Sequence, residues 1–88
     1  MKKGDVITAM TMAGEIVGKF VEESNGTLTL ENPRTLIQNE QGVGFARGLC
    51  MTGELNPDQA IISNYIFLIQ TEAEFEKAYR EAVSGLIL

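Results

Sequence analysis

Residues 12–31 read MAGEIVGKFVEESNGTLTLE, in which glycine-containing turns separate runs of alternating side chains. Ala13-Gly14 predicts a tight reversal. Asn25-Gly26 is a strong signal for a two-residue hairpin turn, because such turns require positive φ angles that glycine adopts without steric cost. The side chains between and after the turns alternate with period two, which is typical of β-strands. Gly18 falls inside a strand and predicts a sharp bend or a close backbone approach.

The flanking sequence extends this bent sheet in both directions. Residues 6–12, VITAMTM, predict a first strand before the Ala13-Gly14 turn. Asn32-Pro33 is expected to stop or kink the strand that follows residue 26, because proline cannot donate to a ladder and disfavours helix at the preceding residue. Residues 43–51 predict a further strand loosened by glycines, and residues 52–59 predict a loop.

The last third of the chain combines an apolar segment with a helix. Residues 60–69 are either two short strands joined by a turn at Ser63-Asn64 or one long strand with a bulge there, and periodicity does not separate the two. Thr71-Glu72-Ala73-Glu74 fits a capping box, which predicts a helix over about residues 72–84. Gly85 predicts the C-terminal stop of that helix. An apolar stripe recurs at spacings of three and four, formed by Phe75, Ala78, Tyr79, Ala82, Val83, Leu86 and Ile87.

This order of elements predicts one mainly β domain over residues 1–88. Four or five short antiparallel strands form a strongly bent sheet that curls into a small barrel, and one amphipathic helix follows it. A chain of 88 residues buries a thin core, and one helix cannot cover every strand edge. We therefore expect copies of the chain to pair through their edges.

Composition excludes several kinds of activity. The chain has 7 Lys plus Arg against 12 Asp plus Glu, a formal charge of −5, and no His. The lack of His excludes His-based acid–base catalysis, and a single Cys excludes a disulfide framework or a zinc cluster. The acidic residues are scattered, and Glu22-Glu23 is most simply a solvated edge whose neighbouring side chains point to opposite faces. We expect no enzyme activity, no catalytic residue, no metal site and no cofactor.

The apolar runs are short. The longest, Tyr65 to Ile69, has five residues, whereas a bilayer requires about 20. With no targeting segment in view, we expect a cytoplasmic protein without membrane contact. Cys50 lies between Leu49 and Met51, which predicts a buried, inert thiol.

Nucleic-acid binding is opposed by the acidic charge, yet the residue types for it are present. Basic side chains that could cluster are Lys2, Lys3, Lys19, Arg34 and Arg47, and aromatic faces that could stack on bases are Phe20, Phe45, Tyr65 and Phe67. The simpler interpretation places the basic residues on a solvated surface and the aromatic residues in the core.

Two stretches resemble the motifs of the Sm-like (LSm) family. Residues 12–21 followed by 25–31 look like the first motif. Residues 60–66, AIISNYI, look like the second, in the form found in the bacterial host-factor RNA chaperone. As a whole the chain resembles small Sm-like proteins of marine environmental sequence with an expected cyanophage origin. The resemblance implies an Sm-like, strongly bent five-stranded antiparallel barrel, a closed homo-oligomeric ring from pentamer to heptamer, and single-stranded RNA around the pore.

The resemblance also implies the binding positions. The family's base-contacting Asn of the first motif corresponds to Thr27, its stacking residue to Gly26, and the Arg-Gly of the second motif to Ser63-Asn64. The stacking face and the positive charge of the family are thus replaced by small polar groups. Tyr65 and Arg47 are expected as outlying stacking and phosphate contacts. The candidate RNA-binding residues are Lys19, Gly26, Thr27, Arg47, Ser63, Asn64 and Tyr65.

Two functions follow as hypotheses. The first is a ring-forming Sm-like protein with a single-stranded RNA-binding or RNA-chaperone role, located in the cytoplasm, which is that of the host cell if a phage encodes it. The alternative is a structural or assembly protein, a phage accessory or virion component, whose Sm-like ring no longer binds RNA. Salt distinguishes them, because RNA binding through phosphate contacts weakens steeply as salt rises.

Overall fold

The computed structural model describes residues 1–84. This part of the chain forms six strands and one helix: β1 (Val6–Thr11), β2 (Gly14–Ser24), β3 (Thr27–Asn39), β4 (Gly42–Phe45), β5 (Gln59–Ser63), β6 (Phe67–Gln70) and α1 (Ala73–Ser84). Every strand pairing is antiparallel. The strand order is β4-β3-β2-β1-β6, and β5 also pairs with β3. The predicted mainly β, antiparallel architecture with a C-terminal helix is confirmed.

The prediction of five strands is wrong, and the reason lies in how the chain runs along β3. β4 pairs with the second half of β3 and β5 pairs with its first half, both along the edge opposite β2. The predicted strand over residues 43–51 ends at Phe45. A loop over residues 46–58, closed by a bridge between Gly48 and Leu55, separates the two halves. Two short strands, β4 and β5, therefore occupy the single strand position beside β3 on the edge opposite β2.

The sheet carries a hydrophobic cluster on each face. The first cluster contains Ile7, Ala9, Leu28, Leu30 and Ile62. Within the described residues no second layer covers this face, yet Ile7, Leu28 and Leu30 are fully buried. The sheet must therefore curl so that the face covers itself. It does not close into the predicted barrel within residues 1–84, because β5 and β6 lie at separate edges and do not pair.

Two bends allow this curl. A Cβ atom added at Gly18 would lie 3.0 Å from the Leu30 Cβ, and β2 shifts its register against β3 at this position. The close backbone approach predicted at Gly18 is therefore confirmed. Asn32 adopts a φ of 50°, but β3 continues to Asn39, so Asn32-Pro33 kinks the strand and does not stop it.

One residue anchors the helix on the second cluster, which contains Val6, Val17 and Tyr79. Tyr79 is fully buried against Val6 and Val17, on the face opposite Ile7. Its hydroxyl donates to the carbonyl oxygen of Asn32 at 2.6 Å and to that of Glu31 at 3.2 Å. Helix α1 is thereby tied to the kink in β3. The predicted stripe residues Leu86 and Ile87, and the stop at Gly85, lie outside the described residues.

The start of the helix differs from the predicted capping box. The side-chain Oε1 of Glu72 accepts hydrogen bonds from the backbone N–H groups of Glu74 at 3.0 Å and Phe75 at 3.3 Å. Thr71 instead shares a hydroxyl hydrogen bond of 2.9 Å with Thr8. The reason is that Thr71 still runs beside β1, where its N–H donates to the Val6 carbonyl. Glu72 therefore caps the helix.

The loop over residues 46–58 exposes apolar residues. Cys50 is exposed, so the prediction of a buried thiol is wrong. Met51 beside it is 99% exposed, which shows that apolar neighbours in the sequence do not form a core when the loop carries them away from the sheet. In the part of the chain that is described, no helix has the length and apolar character needed to cross a membrane.

Candidate functional site

Two turns meet at one end of the sheet and flank an open cleft of about 370 Å³. One turn joins β2 to β3 and the other joins β5 to β6. Thr27 and Ser63 are direct partners in the antiparallel β3–β5 pairing. Gly26, which precedes Thr27, is therefore held beside Asn64, which follows Ser63. The cleft is lined by Asn25, Gly26, Thr27, Ser63, Asn64 and Tyr65.

Local backbone conformation explains why the turns form here. Asn25 and Gly26 have consecutive positive φ angles of 52° and 82°, which a two-residue hairpin turn of the primed type requires. Asn64 has a φ of 57° between β5 and β6. Asparagine tolerates this left-handed region better than most residues, because its short side chain can hydrogen-bond locally. Of the two alternatives left open for residues 60–69, two strands joined by a turn is correct.

Glu23 joins the two turns. Its Oε2 atom accepts a hydrogen bond from the Gly26 backbone N–H at 3.1 Å and another from the Tyr65 hydroxyl at 2.5 Å. The hydrogen bond to Glu23 raises the pKa of Tyr65, so the hydroxyl remains a protonated donor near neutral pH. The sequence interpretation of Glu22-Glu23 as a solvated edge missed this role. The only feature of the sequence that points to this role is the position of Glu23, three residues before the turn glycine Gly26.

The structure brings together five of the seven candidate residues. Gly26, Thr27, Ser63, Asn64 and Tyr65 all line the cleft, although 35 residues or more separate the two turns along the chain. Their proximity follows from the β3–β5 pairing.

The two basic candidates lie elsewhere. Lys19 is half-buried in the middle of β2, opposite Val6 and Glu31, and Arg47 is exposed in the loop over residues 46–58. Neither lines the cleft. Arg34, expected at the surface, is buried, and its Nη1 donates to the Pro33 carbonyl at 2.8 Å. No Lys or Arg among residues 1–84 lines the cleft, and the one charged group bonded to its lining is Glu23.

A second concavity lies on the face of the sheet that carries α1. It is a groove of about 700 Å³ that runs from β4 across to β6 and reaches the first turn of α1. Phe67, Ile69 and Phe75 line it and are 47%, 54% and 44% exposed. Its apolar walls contrast with the polar cleft at the turns.

Among the described residues, the outer edges of β5 and β6 have no strand partner. Within residues 1–84, β5 pairs only with β3, and β6 pairs only with β1. Ile61 on β5 is 74% exposed, whereas Ile62 is buried in the first cluster. Leu68 on β6 packs against the same cluster, so Ile61 and Ile69 both point to the opposite face. The two edges thus present unpaired backbone together with exposed apolar side chains.

No protein-family model matches the chain, and no curated protein matches it. No group of three or more Cys, Asp or Glu residues in the described part of the chain is arranged to hold a metal ion. The arrangement of neutral hydroxyl and amide groups around a tyrosine suits hydrogen bonding and stacking to a planar polar ligand.

Proposed function

We propose that this chain is an Sm-like protein that assembles edge to edge into a homo-oligomeric ring and binds single-stranded RNA in the cleft between its two turns. The observation that carries the proposal is the cleft itself. The positions at which the chain resembles the two Sm motifs, Gly26-Thr27 and Ser63-Asn64, are distant in sequence and adjacent in space.

The split strand supports the Sm-like interpretation. β4 and β5 share one strand position along β3, so the six strands occupy five positions, the number that the resemblance implies. The register shift at Gly18 and the kink at Asn32-Pro33 favour the curl that such a barrel needs.

Ring assembly is supported by the two edges. Unpaired strand edges with apolar side chains invite pairing with another chain. The β5 edge of one copy and the β6 edge of the next are different surfaces, so their pairing is head to tail, which generates a ring when the rotation closes. Ile61 and Ile69 point to the same face of the sheet, so pairing would place both at one apolar contact.

RNA binding is supported by the chemistry of the cleft. Thr27 and Ser63 provide hydroxyl groups and Asn25 and Asn64 provide amides, which together can donate to and accept from base edges. Tyr65 packs against the first cluster and also lines the cleft, so the part of its ring left exposed is an aromatic surface of the kind on which bases stack. Such sites recognise unpaired bases, because a base within a duplex has its edge and face occupied.

The test is a binding titration of the mass-determined oligomer with short U-rich and A-rich RNAs. We expect an oligomer from pentamer to heptamer and saturable binding to it. Ser63→Glu places a charge in the cleft and should abolish binding while the mass stays unchanged. Thr52→Glu, at an exposed position in the loop over residues 46–58, is the matched control and should bind normally. A monomer at micromolar concentration would contradict the ring.

The acidic character of the site favours a second candidate. Glu23 at the cleft, the net charge of −5 and the absence of Lys or Arg from the lining within residues 1–84 all disfavour phosphate. A ring retained as an assembly protein, as in a phage accessory or virion component, fits the same structure. It predicts an intact oligomer that binds none of the RNAs at any salt concentration.

A further inference from the structure

The carboxylate of Glu23 has one oxygen fully engaged and one available. Oε2 accepts from the Gly26 N–H and the Tyr65 hydroxyl, whereas Oε1 accepts no hydrogen bond from the described residues. Both donors belong to residues that line the cleft. Glu23 does not itself line the cleft, but it is exposed and is held beside the cleft by the turns on either side, with an acceptor atom left for a ligand.

The charge of this group determines which part of an RNA can enter. A carboxylate repels phosphate, and no Lys or Arg of residues 1–84 lines the cleft to offset that repulsion. The remaining lining groups are neutral hydroxyl, amide and phenol groups. A ligand can therefore gain hydrogen bonds here through an uncharged nucleobase, with its phosphates kept outside in solvent.

The bases differ in the number of N–H groups that they can donate to Glu23. An ionised carboxylate accepts hydrogen bonds and donates none, so it needs N–H groups on the ligand. Guanine presents a ring N–H and an amino group side by side, and adenine and cytosine each present one amino group. Uracil presents a single ring N–H between two carbonyl oxygens, which the carboxylate repels. The hydroxyl and amide groups of the lining both donate and accept, so they discriminate less.

We infer that Glu23 is the specificity-determining residue of the cleft and that the cleft selects a guanine base of single-stranded RNA over uracil, without binding phosphate. This inference rests on the RNA binding proposed above. It gives the site two measurable properties: a base preference set by Glu23, and a weak dependence of affinity on salt.

The experiment compares two hexanucleotides, rUUUUUU and rUUGUUU, which differ by one base and cannot form guanine quadruplexes within one strand. Affinities for the intact oligomer are measured at about 50 mM and about 200 mM salt. We expect rUUGUUU to bind about tenfold more tightly, within the range that one good base contact supplies. The affinity of each RNA should change by less than about threefold between the two salt concentrations, because few phosphates are neutralised.

Variants assign the preference to one side chain. Glu23→Gln keeps the shape and a side-chain oxygen for Gly26 and Tyr65 but removes the charge, so the guanine preference should fall below about twofold. Glu22→Gln is the matched control, since it removes the same charge from the adjacent residue, which points to the opposite face of β2. That variant should keep the full preference.

The outcomes separate this inference from the proposal beneath it. Equal affinity for the two RNAs would overturn the role of Glu23, and steep loss of affinity with salt would overturn the exclusion of phosphate. An unchanged preference in Glu23→Gln would also overturn the role of Glu23. RNA binding itself stands in each of these cases. The first two comparisons use the wild-type protein, so the test holds even where Glu23→Gln fails to assemble. Lack of binding to any RNA by an intact oligomer would overturn both and leave the assembly function.

Discussion

Replacing Tyr79 with Phe is expected to lower the free energy of unfolding by about 1–2 kcal/mol. The residue is fully buried, and its hydroxyl donates to the Asn32 carbonyl at 2.6 Å and more weakly to the Glu31 carbonyl at 3.2 Å. Phe keeps the edge-to-face contact with Phe45, whose ring centroid lies 5.8 Å away. The change therefore removes one buried hydroxyl donor and little packing, which places its cost near that of a single hydrogen bond.

The same hydroxyl gives a pH signature. Burial raises the pKa of Tyr79 to about 12, above the value near 10 of an unfolded chain. Between these values the folded protein keeps a proton that the unfolded chain releases. The stabilisation is thus complete below about pH 10 and is lost as the pH rises toward about 12. In Tyr79→Phe this contribution to the alkaline loss of stability is absent, so the stabilities of the two proteins converge as the pH rises.

The assay is denaturant unfolding of wild type and Tyr79→Phe at neutral pH and between about pH 10 and 12. At neutral pH we also expect a fall in Tm of about 4–16 °C, from the usual change per kcal/mol in a domain of this size. Tyr65→Phe is the control, because Tyr65 is only half-buried and bonds to an exposed Glu23. Equal stability of Tyr79→Phe and wild type at neutral pH, or parallel alkaline curves, would refute the role assigned to this hydroxyl.

Three further outcomes are expected. Gly18→Ala should destabilise the protein by about 1–3 kcal/mol in the same unfolding assay, because the added Cβ would lie 3.0 Å from the Leu30 Cβ on the adjacent strand. Gly44→Ala is the control and should be nearly neutral, since Gly44 has open space around it. Glu72→Ala removes the side chain that caps α1 and should cost about 0.5–2 kcal/mol, seen as a lower Tm and earlier loss of helical circular dichroism. If the proposed ring forms through the β5 and β6 edges, Ile61→Glu should yield monomers in light scattering. Met12 is 88% exposed at the β1–β2 turn, away from those edges, so Met12→Glu should leave the mass of the ring unchanged.

Local chemistry made much of the fold predictable. The Asn25-Gly26 hairpin, the close approach at Gly18 and the helix that follows Gln70 all depend on residues that are neighbours in the chain. A glycine at a positive φ or an apolar stripe with helical spacing requires no knowledge of the remaining structure. The errors occur where distant residues compete for the same group, as when Thr71 bonds to Thr8 and leaves the helix cap to Glu72.

The sequence by itself determined that the chain is mainly β and that small polar residues stand at the two turns. Only the tertiary structure decided that these turns form one cleft, because the pairing of Thr27 with Ser63 depends on how β3 bends and which strand reaches its edge. It also bonded Glu23 to two residues that line the cleft and kept Lys19 and Arg47 away from that lining. A strand pattern specifies which face a side chain takes, whereas the partners that it meets there depend on long-range register.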